Sequence, residues 1–223
     1  MTDTASVGPT ARRIDDDGSP FLDWIRTHTR LASYAGVTLL ALAAAVYMWR
    51  RSDAIKQERA EQALLAAART FSSGNLPLAQ SDLEKLVARY GSTHAGSQAR
   101  MLLAQILFDQ AKVDSGLKVL EGVGAGPGGA FAASVHALRG AGQEQAGRAA
   151  QAAAEYERAA SASRGAIERD TYRADAARAY TAAGDTAKAL AIWQALAADE
   201  QSSMSSEAKL RIGELTAKPA SRG

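Results

Sequence analysis

Residues 124–129, Gly-Ala-Gly-Pro-Gly-Gly, carry the G-x-G-x-x-G spacing of a dinucleotide-binding loop. In such a loop glycines let the backbone approach a pyrophosphate at a helix N-terminus. That chemistry needs a strand before the loop and a helix opening inside it. Here the loop follows the helical run SGLKVLEGV and contains Pro127, so it reads as a flexible connection and a hinge. The three histidines, His28, His94 and His136, lie in different regions, with no H-E-x-x-H and no pair at helical spacing, which argues against a metal centre. Glu155, Glu157, Glu168 and Asp170 read as acids on solvated helix faces. There is no G-x-S-x-G, no Walker loop and no cysteine, hence no thiol nucleophile and no disulfide framework. The sequence predicts neither an enzyme nor a cofactor.

Composition narrows the class further. The chain has 223 residues, a net charge of +2 and 47% hydrophobic residues, yet aromatics make up only 6%. Much of the apolar total is alanine, the best helix former and small enough to let helices approach closely. Acids and bases are interspersed, and no basic face with aromatic platforms suggests nucleic acid. Setting aside about fifty residues of tail and anchor, the remainder is long enough for one domain with its own core.

Helical patterns recur beyond Arg51 at a fixed interval. GNLPLAQSDL from Gly74, AKVDSGLKVL from Ala111, GRAAQAAAEY from Gly147 and GDTAKALAIW from Gly184 align without gaps, 37, 36 and 37 residues apart. Five positions after each turn residue stands a very small one: Ala79, Gly116, Ala152, Ala189. Four further on stands a large one: Leu83, Leu120, Tyr156, Trp193. Three beyond that is an apolar one: Leu86, Val123, Ala159, Leu196. Seven residues before the turn is again a small one: Ala67, Ala104, Gly140, Ala177. This spacing describes two antiparallel helices joined by a tight turn and crossing closely. One such hairpin cannot bury its apolar face alone, so the units must stack.

The N-terminal part is different. Residues 1–20 are polar and end in Gly18-Ser19-Pro20, composition expected of a disordered tail. Residues 21–30 form a juxtamembrane amphipathic segment in which Phe21, Leu22, Trp24 and Ile25 share one helix face, for docking or for interfacial anchoring. Leu31 to Trp49 are nineteen consecutive uncharged residues between Arg30 and Arg50-Arg51, enough helix to cover a hydrocarbon core of about 30 Å. Their polar groups are hydroxyls: those of Ser33 and Thr38 can bond back to helix carbonyls one turn earlier, and Tyr34 and Tyr47 sit near the two ends, at headgroup level. The rival is a cleaved signal peptide, since Ala43-Ala44-Ala45 satisfies A-x-A. The long leader with Asp15-Asp16-Asp17 favours an uncleaved anchor. Basic residues flank both ends, so charge leaves the orientation open.

The order small residue, turn glycine, alanine, aromatic, apolar resembles the tetratricopeptide repeat. Leu138–Ala160 and Ala176–Leu196 carry it best. Arg100 and Thr70 fall where that pattern places large apolar residues. With the single N-terminal transmembrane helix read at 31–49, the resemblance implies an all-α fold: a solenoid of about four helical hairpins over 52–218. The repeats are placed at 60–96, 97–132, 133–169 and 170–203. A capping helix at 204–218 would use Leu210, Ile212 and Leu215 to cover the open end. It also implies a protein-binding groove along the first helices, at Phe71, Met101, Gln105, Phe108, Asp109, Glu144 and Arg178. Phe71 and Phe108 are equally readable as core residues of irregular repeats.

Tail, span ending in YMWRR, the helix DAIKQERAEQALLAA and four irregular repeats together resemble the YfgM-like ancillary subunits of the bacterial Sec translocon. That resemblance implies a single-pass protein of the inner membrane, N-terminus cytoplasmic and repeats periplasmic. Its partners would be translocon subunits, periplasmic chaperones or client polypeptides, with neither a small-molecule substrate nor nucleic acid. The alternative is a structural assembly factor for cell-division or envelope complexes built from the same repeats.

Overall fold

A computed structural model describes residues 29–121, 123, 129 and 131–217. The tail at 1–20, most of the juxtamembrane segment, His28 and most of the 124–129 loop lie outside the described residues. Those described form nine helices: α1 (Thr29–Ser72), α2 (Leu76–Tyr90), α3 (His94–Asp109), α4 (Val113–Leu120), α5 (Ala132–Gln145), α6 (Ala149–Ala162), α7 (Ala166–Ala182), α8 (Thr186–Ala198) and α9 (Ser205–Thr216). The chain divides into two compact units, Met1–Asp53 and Ala54–Gly223.

In the first unit every described residue belongs to α1. All side chains from Gly36 to Arg50 are exposed, including Leu39, Leu40, Met48 and Trp49. Ser33 Oγ donates to the Arg30 carbonyl and Thr38 Oγ1 to that of Tyr34, each at 2.8 Å. These two hydroxyls are thereby satisfied inside the helix. Among the described residues no helix is long and apolar enough to cross a membrane. The side chains of Leu31, Ala32 and Ala35, which complete the run in sequence, are not among those described.

The second unit is an all-helical solenoid of the tetratricopeptide type. Its hairpins are the C-terminal part of α1 with α2, then α3 with α4, α5 with α6, and α7 with α8, followed by α9. Each hairpin turns by the same device. The second residue after the first helix takes a positive φ: Gly74 (79°), Ala111 (59°), Gly147 (72°) and Gly184 (79°). The next amide then reaches back to the last turn of the helix: Asn75 N to Thr70 O, Lys112 N to Leu107 O, Arg148 N to Gln143 O, and Asp185 N to Tyr180 O. This satisfies carbonyls that the helix end leaves open. Asn75 and Asp185 also accept from the amides of Leu78 and Lys188 and so start the second helix.

All sixteen aligned repeat positions are buried. The small ones, Ala67 against Ala79 or Ala177 against Ala189, let the hairpin cross closely. The large ones, Leu83, Leu120, Tyr156 and Trp193, fill the space beyond, with exposures of 0%, 0%, 6% and 1%. Two of the small positions are glycine because rings lie against them. A Cβ on Gly140 would stand 2.6 Å from Tyr156 Cε1, and one on Gly116 would stand 2.4 Å from Phe108 Cε1. Gly142 belongs to the same niche, 2.6 Å from Phe108 Cζ by the same construction. Helix α5 thus seats a ring on either side, from the repeat before it and from its own partner helix.

Arg100 and Thr70, out of place in the repeat pattern, each have a local use. Thr70 Oγ1 donates to the Ala66 carbonyl at 3.1 Å. Helix α4 has only eight residues, and its final carbonyls are taken by arginines of the flanking first helices: Arg100 Nη1 on Val119 O (3.2 Å) and Arg139 Nη2 on Leu120 O (2.8 Å). Two cations at the negative end of a short helix replace the missing turn. At the C-terminal end, Ile212 and Leu215 pack on the last core cluster, but Leu210 is 61% exposed. The face of α9 that meets α7 and α8 runs through Ser205, Ala208, Ile212 and Leu215, so Leu210 points away from the cap. Two of the four acids read as solvated are also not so. Asp170 is buried, 3.8 Å from Arg173, and Glu155 is largely covered between His136 and Arg158.

Ala111 holds the left-handed conformation that glycine takes at the other three turns, at a cost of roughly 1–2 kcal/mol for an L-residue. Ala111→Gly is expected to raise stability by about 0.5–1 kcal/mol in urea unfolding, since glycine's larger unfolded-state entropy offsets part of that gain. Gly142→Ala is expected to lower it by about 1–3 kcal/mol through the clash with the Phe108 ring.

Candidate protein-binding face

The first helices α1, α3, α5 and α7 carry the seven residues singled out for a groove, and the fold treats them differently. Phe71 is half-buried against the cluster shared by α1, α2 and α3. Met101 packs on the next cluster, with Leu120, Val123 and Val135. Phe108 is 6% exposed and belongs to that core outright. Its placement in a groove is corrected, because the bare backbones of Gly116 and Gly142 open a niche that draws the ring inward. Gln145 Nε2 then donates to the Phe108 carbonyl at 2.8 Å, tying α5 to the end of α3. Gln105 and Asp109 are exposed, one turn apart on α3.

Glu144 and Arg178 are polar and accessible but already occupied. Glu144 accepts from the Tyr156 hydroxyl at 2.8 Å. Arg178 donates through Nε and Nη2 to the two carboxylate oxygens of Glu207, each at 3.0 Å, and through Nη1 to Asp175. Glu207 in turn faces Arg211, which bonds Glu214. The sequence reading missed Asp175 and Glu207. The signal was available as Asp175 three residues before Arg178 and the Glu207, Arg211, Glu214 ladder on the next helix.

The titration of this chain follows from its geometry. Hydrogen bonds from Arg178 hold the Glu207 carboxyl below its ordinary value, against some burial. Asp175 is pushed up, chiefly by burial and further by the charges of Glu144 and Glu207, although Arg178 pulls the other way. Arg178 is raised above its ordinary value by its bonds to Glu207. Burial and the Glu144 carboxylate both raise the Tyr156 phenol, so it stays protonated as a donor. The network fastens α9 onto α7 and joins α6 to α5. It offers no nucleophile beside a base. Among the described residues no group of three histidine or acidic side chains could hold a metal ion.

Stacked antiparallel helix pairs with small residues at each crossing define the class as a tetratricopeptide-type solenoid. The family model of the tetratricopeptide repeat-like domain matches residues 48–174, more than half of the chain, and the chain belongs to that family. Among solved structures it is similar to the nearly identical TPR-like repeats of a candidate kinesin light chain from Podospora anserina. The TM-score is 0.55 and the identity 16%, with 70% of this chain and 85% of that one covered, which is a likeness of fold alone. No curated protein matches the sequence. Such repeats are typically scaffolds for binding other proteins and not catalysts.

Because Glu207 has a lowered folded-state pKa, it adds stability above its ordinary value of 4.5, and this is lost as pH falls through the folded value. Asp175 has the opposite sign: its ionised form costs stability at neutral pH, and acid removes that cost. Glu207→Gln is therefore expected to lower stability at pH 7 by roughly 1 kcal/mol, the scale of a partly exposed bidentate pair. The gap from wild type should close on acidification, as followed by denaturant titration at several pH values.

Proposed function

We propose that this chain is a membrane-anchored adaptor that binds other proteins through its repeats, ancillary to the Sec translocon and linking it to periplasmic chaperones. The observation that carries the reading is the joining, in one chain, of a tetratricopeptide-type solenoid to a helix whose apolar side chains from Gly36 to Trp49 are all exposed. Side chains such as Leu39, Leu40 and Met48 have no reason to line a helix in water on every side, and lipid would cover them. With Leu31 to Ala35 the run reaches nineteen uncharged residues, and Arg50-Arg51 closes it at an interface. The resemblance to the YfgM-like subunits supports an inner-membrane location, the N-terminus in the cytoplasm and the repeats in the periplasm.

Within the second unit, Gln105 and Asp109 are the residues of the first-helix face best placed to meet a partner, since Phe108 is core and Arg178 is committed to Glu207. A photo-crosslinking residue at Gln105 or Asp109, in native membranes, is expected to yield adducts with translocon subunits or periplasmic chaperones. A control at Glu200, exposed after α8, should not. Adducts that never contain translocon subunits overturn the translocon assignment. Enrichment in division or cell-wall proteins instead would establish the assembly-factor reading.

A further inference from the structure

A second surface lies away from the face just described. Helices α6 and α8 flank α7 and leave a cleft of about 490 Å³ between them. One wall carries Arg169 and Arg173, four residues apart on α7 and therefore neighbours on one face. Ala160 of α6 and Ile192 of α8 give it an apolar floor, with Glu157 and Ser161 at the edge. Among the described residues, half-buried Arg169 has neither an ion-pair nor a hydrogen-bond partner. Arg173 has a single long contact, 3.8 Å from Asp170. The lining thus carries two cations against one anion, Glu157, whose carboxylate accepts from the Tyr180 hydroxyl at 3.0 Å.

We infer that this cleft binds an extended acidic peptide, with Arg169 and Arg173 taking carboxylates and the floor between α6 and α8 taking an aliphatic side chain. Charge complementarity selects the ligand. The Arg169 guanidinium lies at an apolar floor with no carboxylate of its own, and its planar fork fits an incoming carboxylate with two bonds. The floor selects a peptide over a lipid headgroup. A headgroup leaves Ala160 and Ile192 uncovered, whereas a residue flanked by acids fills both requirements. The inference rests on the protein-binding reading of the chain and supplies a partner chemistry for a face that reading does not use.

The test is titration of the full-length protein in nanodiscs with a fluorescein-labelled, amidated hexapeptide, GELAEG, against its uncharged counterpart GQLAQG. The acidic peptide is expected to bind at least about tenfold more tightly, with affinity falling as salt rises. Arg169→Glu and the milder Arg169→Gln should each lose that preference while the thermal melt by circular dichroism is unchanged. Equal affinity for the two peptides, no binding, or a preference that survives Arg169→Glu overturns the inference. So does binding of vesicles containing phosphatidylglycerol in place of the peptide. If crosslinks at Gln105 still recover proteins while the peptide fails, this cleft alone is discarded. Loss of those crosslinks counts against the adaptor reading and leaves the peptide result independent.

Discussion

The second unit depends on helices that cross with almost nothing between their backbones. At Ala67 on Ala79, Ala104 on Gly116, Gly140 on Ala152 and Ala177 on Ala189 the paired side chains are a methyl group or less, and all are buried. Close crossing fixes the hairpin angle, and that angle decides where the next large side chain finds room. Leu83, Leu120, Tyr156 and Trp193 fill that room in turn. A larger residue at any crossing would separate two helices and displace the large side chain packed beside them. Stability in such an array is a sum over neighbouring interfaces, so each crossing matters locally and cannot be compensated from afar.

The same constraint shapes the polar chemistry. A core built so largely from alanine has few large apolar side chains to spend. The C-terminal half uses tyrosine in their place, with each hydroxyl reaching a carboxylate: Tyr156 to Glu144 and Tyr180 to Glu157. Each ring fills the core while its oxygen stays paired at the edge. Arg178 and Glu207 then close the open end by fastening α9 where a further repeat would stack. In the N-terminal half the corresponding work is done by Leu83, Leu86, Leu103 and Phe108, and polar groups serve helix ends, as Arg100 and Arg139 do at α4.

Much of this was legible in the residues. Turn positions and buried positions followed from gapless spacing, because a helical hairpin repeats its contacts at a fixed interval and leaves the same small and large residues each time. Even Ala111, a turn residue without glycine's freedom, was placed by alignment with Gly74, Gly147 and Gly184. The face of each residue between those positions was less legible. Phe108, readable by repeat phase as a groove or a core residue, is drawn into the core by two glycines, one of them 34 residues away in sequence. Leu210 reads as part of a cap by hydropathy and lies on the wrong side of a helix whose buried stripe includes a serine and an alanine. Arg178 reads as a contact residue until Glu207, on a different helix, is brought to it. Each miss depends on a long-range neighbour that periodicity does not encode.

The proposed function requires a lipid-embedded helix at Leu31–Trp49 and a repeat domain on the far side of the membrane. The direct measurement is a topology assay in bacterial cells, with paired reporters, one active only in the cytoplasm and one only in the periplasm, fused after Gly18 and after Gly223. The account predicts cytoplasmic activity for the fusion after Gly18 and periplasmic activity for the fusion after Gly223. A cytoplasmic reporter at Gly223 would contradict it, because the repeats could then reach no periplasmic chaperone.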